Sequence, residues 1–297
     1  MDRRINTLLR WYRAHGRSLP WRSTRNAYRI FMSELMLQQT QVLRVIPKYK
    51  EWLRLFPTWN ALANSKTAPL LHAWAGLGYN RRALQAREAA QTVVRDGEPI
   101  TEAGWRTLKG VGPYMAAALT EFANHHRAIV IDTNVRRVVG RVFRGMPHPT
   151  VMDDESIHAI LDKVTPHSGR HWDIPQAFMD LGSSICTVRN PACATCPLRS
   201  QCKAAPIFLA GGGQKTRSSK PRERIHAEKP HPDRIYRGRI LALVRAKKLL
   251  NPEMLGTNFD PDFDPIRDAE WRNAMIARLI KDGLLAMRRD GTLSLPQ

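Results

Sequence analysis

The sequence contains no apolar run approaching the roughly 18 unbroken residues that mark a membrane-spanning helix. Its first segment, MDRRINTLLRWYRAHG, lacks both the apolar centre and the small-residue cleavage site of a secretory signal. That segment reads instead as an amphipathic helix with Ile5, Leu8, Leu9 and Tyr12 on one side. Cysteine is scarce. There are four in 297 residues, all between positions 186 and 202, which argues against a disulfide-dense secreted scaffold. Alternating strand patterns are few before about Pro206, and no internal repeat is present. Acid is short as well: 26 Asp and Glu stand against 47 Lys and Arg, a formal net charge of +21. Such a surplus calls for a polyanionic partner, nucleic acid before an anionic membrane surface.

What is present suffices for a packed core. Hydrophobic residues make up 43% of the chain, and the length allows one large or two ordinary domains. AYRIFMSELMLQQ, RRALQAREAAQTVVRDG, YMAAALTEFANHH, NVRRVVGRVFRG and ESIHAILDKV all carry apolar residues near a 3.6 spacing, with Gly, Pro, Asn and Asp between them. The short β-like run Ala128–Asp132 reads as an extended approach to a helix. LAGGGQKTRSSKPRERIHAEKPHPD then breaks the composition: Gly-rich, then basic and Pro-rich, it reads as a charged linker. Beyond it, two helical patterns are followed by LLAMRRDGTLSLP, a hairpin turning at Asp290-Gly291. That order fits a winged-helix module or a plain helical cap.

Cys186, Cys193, Cys196 and Cys202 follow a C-x6-C-x2-C-x5-C spacing. Four thiolates in one loop can wrap one tetrahedral metal or a cubane cluster. Zinc sites commonly pair two C-x2-C knuckles, and here one pair is close, which favours [4Fe-4S] over zinc. Fully ligated, such a group has no open position for chemistry. Arg189 and Arg199 would then be displayed on a rigid loop as phosphate contacts.

Gly110-Val111-Gly112 precedes a helix with Pro113 at its first position. Glycines allow a sharp turn and close approach, and a helix N-terminus favours phosphate. The same pattern serves as an ordinary interhelical turn. In a basic chain, helix, G-V-G and helix together suggest a helix-hairpin-helix grip on a DNA backbone. SELMLQQTQV is odd for a core helix, because Glu34 heads a greasy run that Gln38, Gln39 and Gln41 then interrupt. Asp132, in VIDTNVRRVVGR, heads a helix and, taken alone, reads first as its N-cap. Two such acids could cleave a bond to an anomeric carbon. One protonates the leaving group and the other faces the oxocarbenium-like charge. Leu35, Met36 and Leu37 offer the apolar wall that raises an acid's pKa.

LPWR, YRIFMSELMLQQTQV, WAGLGYNRRALQ, LKGVGPYMAAAL, VIDTNVRRVVGR, QAFMDLGSSIC and the four-cysteine loop occur in the order seen in MutY-type adenine DNA glycosylases. On these motifs the chain, from about Leu19 to Cys202, resembles that branch of the helix-hairpin-helix superfamily that includes endonuclease III. The resemblance implies a mostly α fold: a six-helix barrel at 23–127 and an iron–sulfur domain at 1–22 and 128–206. A linker at 207–233 and a small α+β module at 234–297 would follow. It implies that Glu34 protonates N7 of a flipped adenine, that Asp132 stabilises the cationic sugar, and that Asn134 orders the site. Tyr114 stands where bifunctional relatives carry a Schiff-base lysine, so hydrolysis without strand cleavage is expected. Gln39 and Tyr79 match residues that wedge into the base stack, and Gln38 with Gln39 would hydrogen-bond bases.

Departures are visible. Asn80 replaces the second tyrosine of the GLGYY motif, and Lys109 replaces the hairpin proline. Many family members continue into a MutT-like domain that recognises 8-oxoguanine; the roughly sixty residues after the linker are too few for one and have the wrong pattern. The expectation is a monomeric cytoplasmic enzyme, nucleoid-associated in a prokaryote. It would act on double-stranded DNA holding adenine opposite guanine or 8-oxoguanine. Two other readings compete: a thymine or uracil mismatch glycosylase of the same fold, which by family pattern lacks the acid at Glu34, and a non-catalytic iron–sulfur DNA-binding protein.

Overall fold

A computed structural model describes residues 2–213, 225–227 and 229–297. The fold is mostly helical, as the 3.6-residue periodicity requires. In chain order the helices are α1 (Arg3–His15), α2 (Ala27–Leu37), α3 (Val42–Leu55), α4 (Trp59–Ala63), α5 (Thr67–Ala73), α6 (Arg81–Asp96), α7 (Glu102–Arg106), α8 (Pro113–Phe122), α9 (Thr133–Val139), α10 (Asp154–Val164), α11 (Asp173–Ser184) and α12 (Ala205–Leu209). After the basic stretch come α13 (Asp233–Lys247), α14 (Gly256–Phe259), α15 (Ala269–Lys281) and the strands β1 (Ala286–Met287) and β2 (Leu293–Ser294). The linker expected at 207–233 lies in part outside the described residues. Among the described residues no helix is long and apolar enough to cross a membrane.

Two compact units form. The first comprises Met1–Glu34, Pro99–Thr107 and Val111–Ser218; the second comprises Leu35–Glu98, Leu108–Gly110 and Ser219–Gln297. In the first, one apolar cluster joins four helices: Ile5 and Leu8 of α1, Val135, Val138 and Val139 of α9, Ile157 and Leu161 of α10, and Ile174, Phe178 and Leu181 of α11. Cys186, Cys196 and Cys202 pack against it. Gly182 lets α11 and α9 meet, because a Cβ there would stand 2.7 Å from Asn134 Cβ. Asp180, also on α11 and buried, accepts a two-pronged fork from Arg22 (2.7 and 2.8 Å) and further bonds from Arg17.

In the second unit, α4 and α6 pack together, and Trp52 of α3 meets Trp74 edge-on at 5.4 Å. The C-terminal segment of this unit has its own aromatic core, Tyr236, Phe259 and Trp271, with Trp271 Nε1 donating to Asp233 at 2.9 Å. The hairpin forms as expected: β1 and β2 pair antiparallel, and Gly291 takes a left-handed φ of 80° at the turn.

Candidate active site and cysteine loop

Helix α2 explains the odd stretch around Glu34. Asn26 caps its start by accepting from Arg29 N. Tyr28, Ile30, Phe31, Met32, Leu35 and Met36 are all buried, so the helix is apolar nearly all round and Glu34 is carried inside with it, 8% exposed. Burial pushes its carboxyl up to about 7. The Tyr114 hydroxyl, donating to Glu34 Oε2 at 2.9 Å, opposes that rise; the negative charge of Asp132 adds to it and Arg22 opposes it. Tyr114 itself is pushed well above the ordinary phenol value, by burial first and then by the carboxylates of Glu34 and Asp132. Glu34, Tyr114 and Asp132 therefore act on one another electrostatically.

Asp132 is the N-cap of α9, as its position at the head of that helix suggests. Its Oδ1 accepts from Asn134 N at 2.9 Å and Val135 N at 2.6 Å. Oδ2 accepts from the Asn134 side-chain amide at 2.8 Å. Asn134 is held in turn, its Oδ1 accepting from Arg137 Nη2 at 2.7 Å. Cap and candidate acid are thus one residue with a fixed orientation.

The glutamines lie beyond the helix, although the pattern AYRIFMSELMLQQ suggested a helix running through them. α2 ends at Leu37 because Gln39 takes a left-handed φ of 60°, which no α-helix continues. Tyr79 does the same at 47°, in the turn before α6. A left-handed backbone is costly for a bulky residue, and such strain concentrates at functional positions. The two turns are joined: Thr40 Oγ1 donates to Leu77 O at 3.3 Å, and Arg82 donates to Gln38 O at 2.5 Å while its guanidinium lies 4.6 Å over the Tyr79 ring. Gln39 and Tyr79 are both exposed, and Gln38 is half-buried.

Between α7 and α8 the expected hairpin is present. Gly110 has a φ of 82°, open to glycine alone without strain; Gly112 caps α8 and Pro113 opens it. Both glycines are exposed, and nothing would lie within 4 Å of a Cβ at Gly112. A flat partner can approach the backbone closely there.

The four cysteines are free and half-buried, and all line one small cavity with Val138, Val142 and Leu181. Among the described residues no three His, Cys, Asp or Glu side chains are placed to hold a single metal ion. Burial raises the Cys196 thiol to about 11 and moves Cys193 and Cys202 upward too. Soft sulfur donors on an apolar wall are the chemistry a cluster takes. Sequence reading missed what stands over them. Arg141 is buried yet has no acid partner among the described residues; it donates to the carbonyls of Pro147, Thr187 and Val188 and lies 3.4 Å from Cys186 Sγ. Arg137, one turn earlier, donates to the Cys186 and Gly182 carbonyls as well as to Asn134. An Arg pair four residues apart, set among valines in NVRRVVGR, was the available signal. Arg189 is exposed at the loop's tip.

A family model described as HhH-GPD superfamily base excision DNA repair protein matches residues 32–166. Among solved structures, a thermostable thymine-DNA glycosylase is similar at a TM-score of 0.63 and 26% identity, over 68% of this chain and 94% of that one. The chain is 35% identical over 293 residues to the adenine DNA glycosylase of Mycobacterium tuberculosis, covering 97% of this chain and 92% of that protein. Its likeness to the Homo sapiens adenine DNA glycosylase is 37% over 212 residues, 67% of this chain and 38% of that one. The chain belongs to the adenine DNA glycosylase family within the HhH-GPD superfamily.

Proposed function

We propose that the protein is a monofunctional glycosylase that flips adenine from a mispair with guanine or 8-oxoguanine and hydrolyses its glycosidic bond. As a member of its family it is a base excision repair glycosylase acting on adenine. The observation that carries the finer reading is the buried Glu34 carboxyl, raised to about 7 beside Tyr114 and Asp132. Adenine leaves poorly as an anion, so a proton must reach N7 before the bond breaks. An acid near neutrality can hold that proton and still give it up. Asp132, oriented by Asn134, faces the cationic sugar that forms. Tyr114 has no amine, so no imine to the sugar forms and the strand stays intact.

Gln39 and Tyr79 fill the stack left by the flipped base, and Gln38 bonds to bases. Gly110 and Gly112 bring backbone N–H groups to a phosphate, with Arg189 as a second contact. Cys186, Cys193, Cys196 and Cys202 would hold a [4Fe-4S] cluster, which when bound serves structure and not proton transfer, and Arg141 offsets its negative charge. Iron and not zinc should accompany the purified protein. The enzyme would work as a monomer in the cytoplasm, on the nucleoid in a prokaryote.

Single-turnover reactions on duplexes carrying A opposite 8-oxoguanine, A opposite G, and T or U opposite G test the reading. Product from the adenine duplexes is expected, with strand breaks only after alkali. Product from T or U alone would favour the activity named for the thymine-DNA glycosylase and overturn ours. Breaks without alkali would contradict the monofunctional assignment. The Tyr114 hydroxyl bond lowers the Glu34 pKa. Tyr114→Phe should therefore move the descending limb of the pH–rate profile to higher pH; an unmoved limb would mean that Glu34 is not the titrating acid.

A further inference from the structure

The C-terminal segment has a chain order that the catalytic reading does not use. α13 is followed by Leu250, which pairs antiparallel with Leu293 through two backbone bonds of 3.0 and 2.8 Å. Next come α14, α15 and the β1–β2 hairpin, in which Leu293 also faces Met287. Helix, a single bridging residue, helix, helix and hairpin, with Leu250 set on the last strand, is the chain order of a minimal winged helix. The connection from α14 to α15 is long and is pinned by Lys229, whose ammonium meets Asp260 at 2.5 Å and Asp268 at 2.7 Å.

α15 is two-faced. Trp271, Met275, Ile276 and Leu279 are buried. The opposite stripe, Glu270, Asn273, Ala274, Ala277, Arg278 and Lys281, is exposed. Two alanines on that stripe leave room for close approach, with amide and cationic groups around them, the surface a recognition helix lays in a groove. Arg278 and Ala274 also border a cleft of about 710 Å³ that Arg234 and Arg237 of α13 line. The hairpin tip carries exposed Arg288 and Arg289. No ion pair reaches Arg278, Lys281, Arg288 or Arg289 among the described residues. Acids lie close by as well: Glu270 and Asp233 line the same cleft, Asp282 follows Lys281 and is paired with Arg81 and Arg237, and the carboxylate of Asp290 is engaged by Thr292.

We propose that this module is a second duplex-DNA-binding surface, α15 facing a groove and the hairpin arginines facing the backbone, in addition to the G-V-G hairpin. A double helix supplies both the groove and the rows of phosphate that this shape and charge require. The proposal rests on the glycosylase reading only in taking DNA as the partner. The test uses the full chain with Arg278→Glu/Lys281→Glu or Arg288→Glu/Arg289→Glu, and the milder Arg278→Gln/Lys281→Gln in case charge reversal disturbs folding. Affinity for an undamaged duplex is measured across a salt series. Each pair of changes should weaken binding roughly tenfold near physiological salt and flatten the log–log salt slope by about 0.9 for each phosphate no longer neutralised. Single-turnover excision at saturating enzyme should be unchanged. Parent-like affinity and slope in variants that melt like the parent would overturn the proposal. If the parent excises no base while its salt slope still depends on these four residues, the glycosylase reading fails and this surface stands.

Discussion

Glu34→Gln is expected to lower the single-turnover rate of adenine excision by roughly 10²–10⁴-fold, the usual worth of a positioned general acid. Duplex affinity should hold, because the residue is buried and amide replaces carboxyl at nearly equal volume. Glutamine keeps an oxygen to accept from Tyr114 but has no proton of suitable acidity to give. The parent profile should fall as pH rises through about 7, where the carboxyl loses its proton, and the variant should show no such limb. The substitution acts on stability in the opposite sense to the rate. The folded-state pKa lies above the ordinary value of 4.5, so the favourable contribution of the neutral acid is fully present below 4.5 and is lost as pH rises through about 7. The glutamine variant should therefore be more stable than the parent above neutrality, by up to roughly 3 kcal/mol, the two converging in acid. Thermal melts at several pH values check this. An unchanged excision rate would remove Glu34 from the mechanism.

How far the sequence discloses such a site depends on the range of the interactions that build it. The mismatch between acid, apolar run and amides in SELMLQQTQV is local, and it marks Glu34 correctly as a buried oddity. The turn that separates acid from amides is not visible there. It depends on a left-handed residue at Gln39, and its tie to the Tyr79 turn spans some forty residues of chain. Arg141 and Arg137 escaped for the same reason. An arginine in a helical pattern reads as solvated, and only the fold brings the carbonyls of 187 and 188 to it. Asp180 behaves likewise: QAFMDLGSSIC gives no hint that two arginines from before residue 23 close on it. The cysteines were the opposite case, since four thiols within seventeen residues need no distant partner to define a site. The module beyond the linker was readable as helices and a hairpin, but the Leu250–Leu293 pairing that orders them is long-range.

Asp132→Asn separates two roles that one carboxylate performs. Asparagine is as good an N-cap as aspartate, so α9 should keep its start and the variant should melt close to the parent. The charge facing the cationic sugar is gone, and the excision plateau should fall by roughly 10²–10³-fold, the scale of removing one preorganised electrostatic partner. Asp132→Ala should share that fall in rate and in addition be less stable by about 1 kcal/mol, because Asn134 N and Val135 N are left without their acceptor. If Asn keeps the parent rate while Ala does not, Asp132 is a cap and the sugar's cation is met elsewhere. The position of the pH limb gives a second reading. The Asp132 charge is one cause of the raised Glu34 pKa, so removing it should move the limb to lower pH, opposite to the shift from Tyr114→Phe. A structural defect alone would lower the plateau without moving the limb in either direction. Opposed shifts in the two variants would place Tyr114 and Asp132 on either side of one titrating acid.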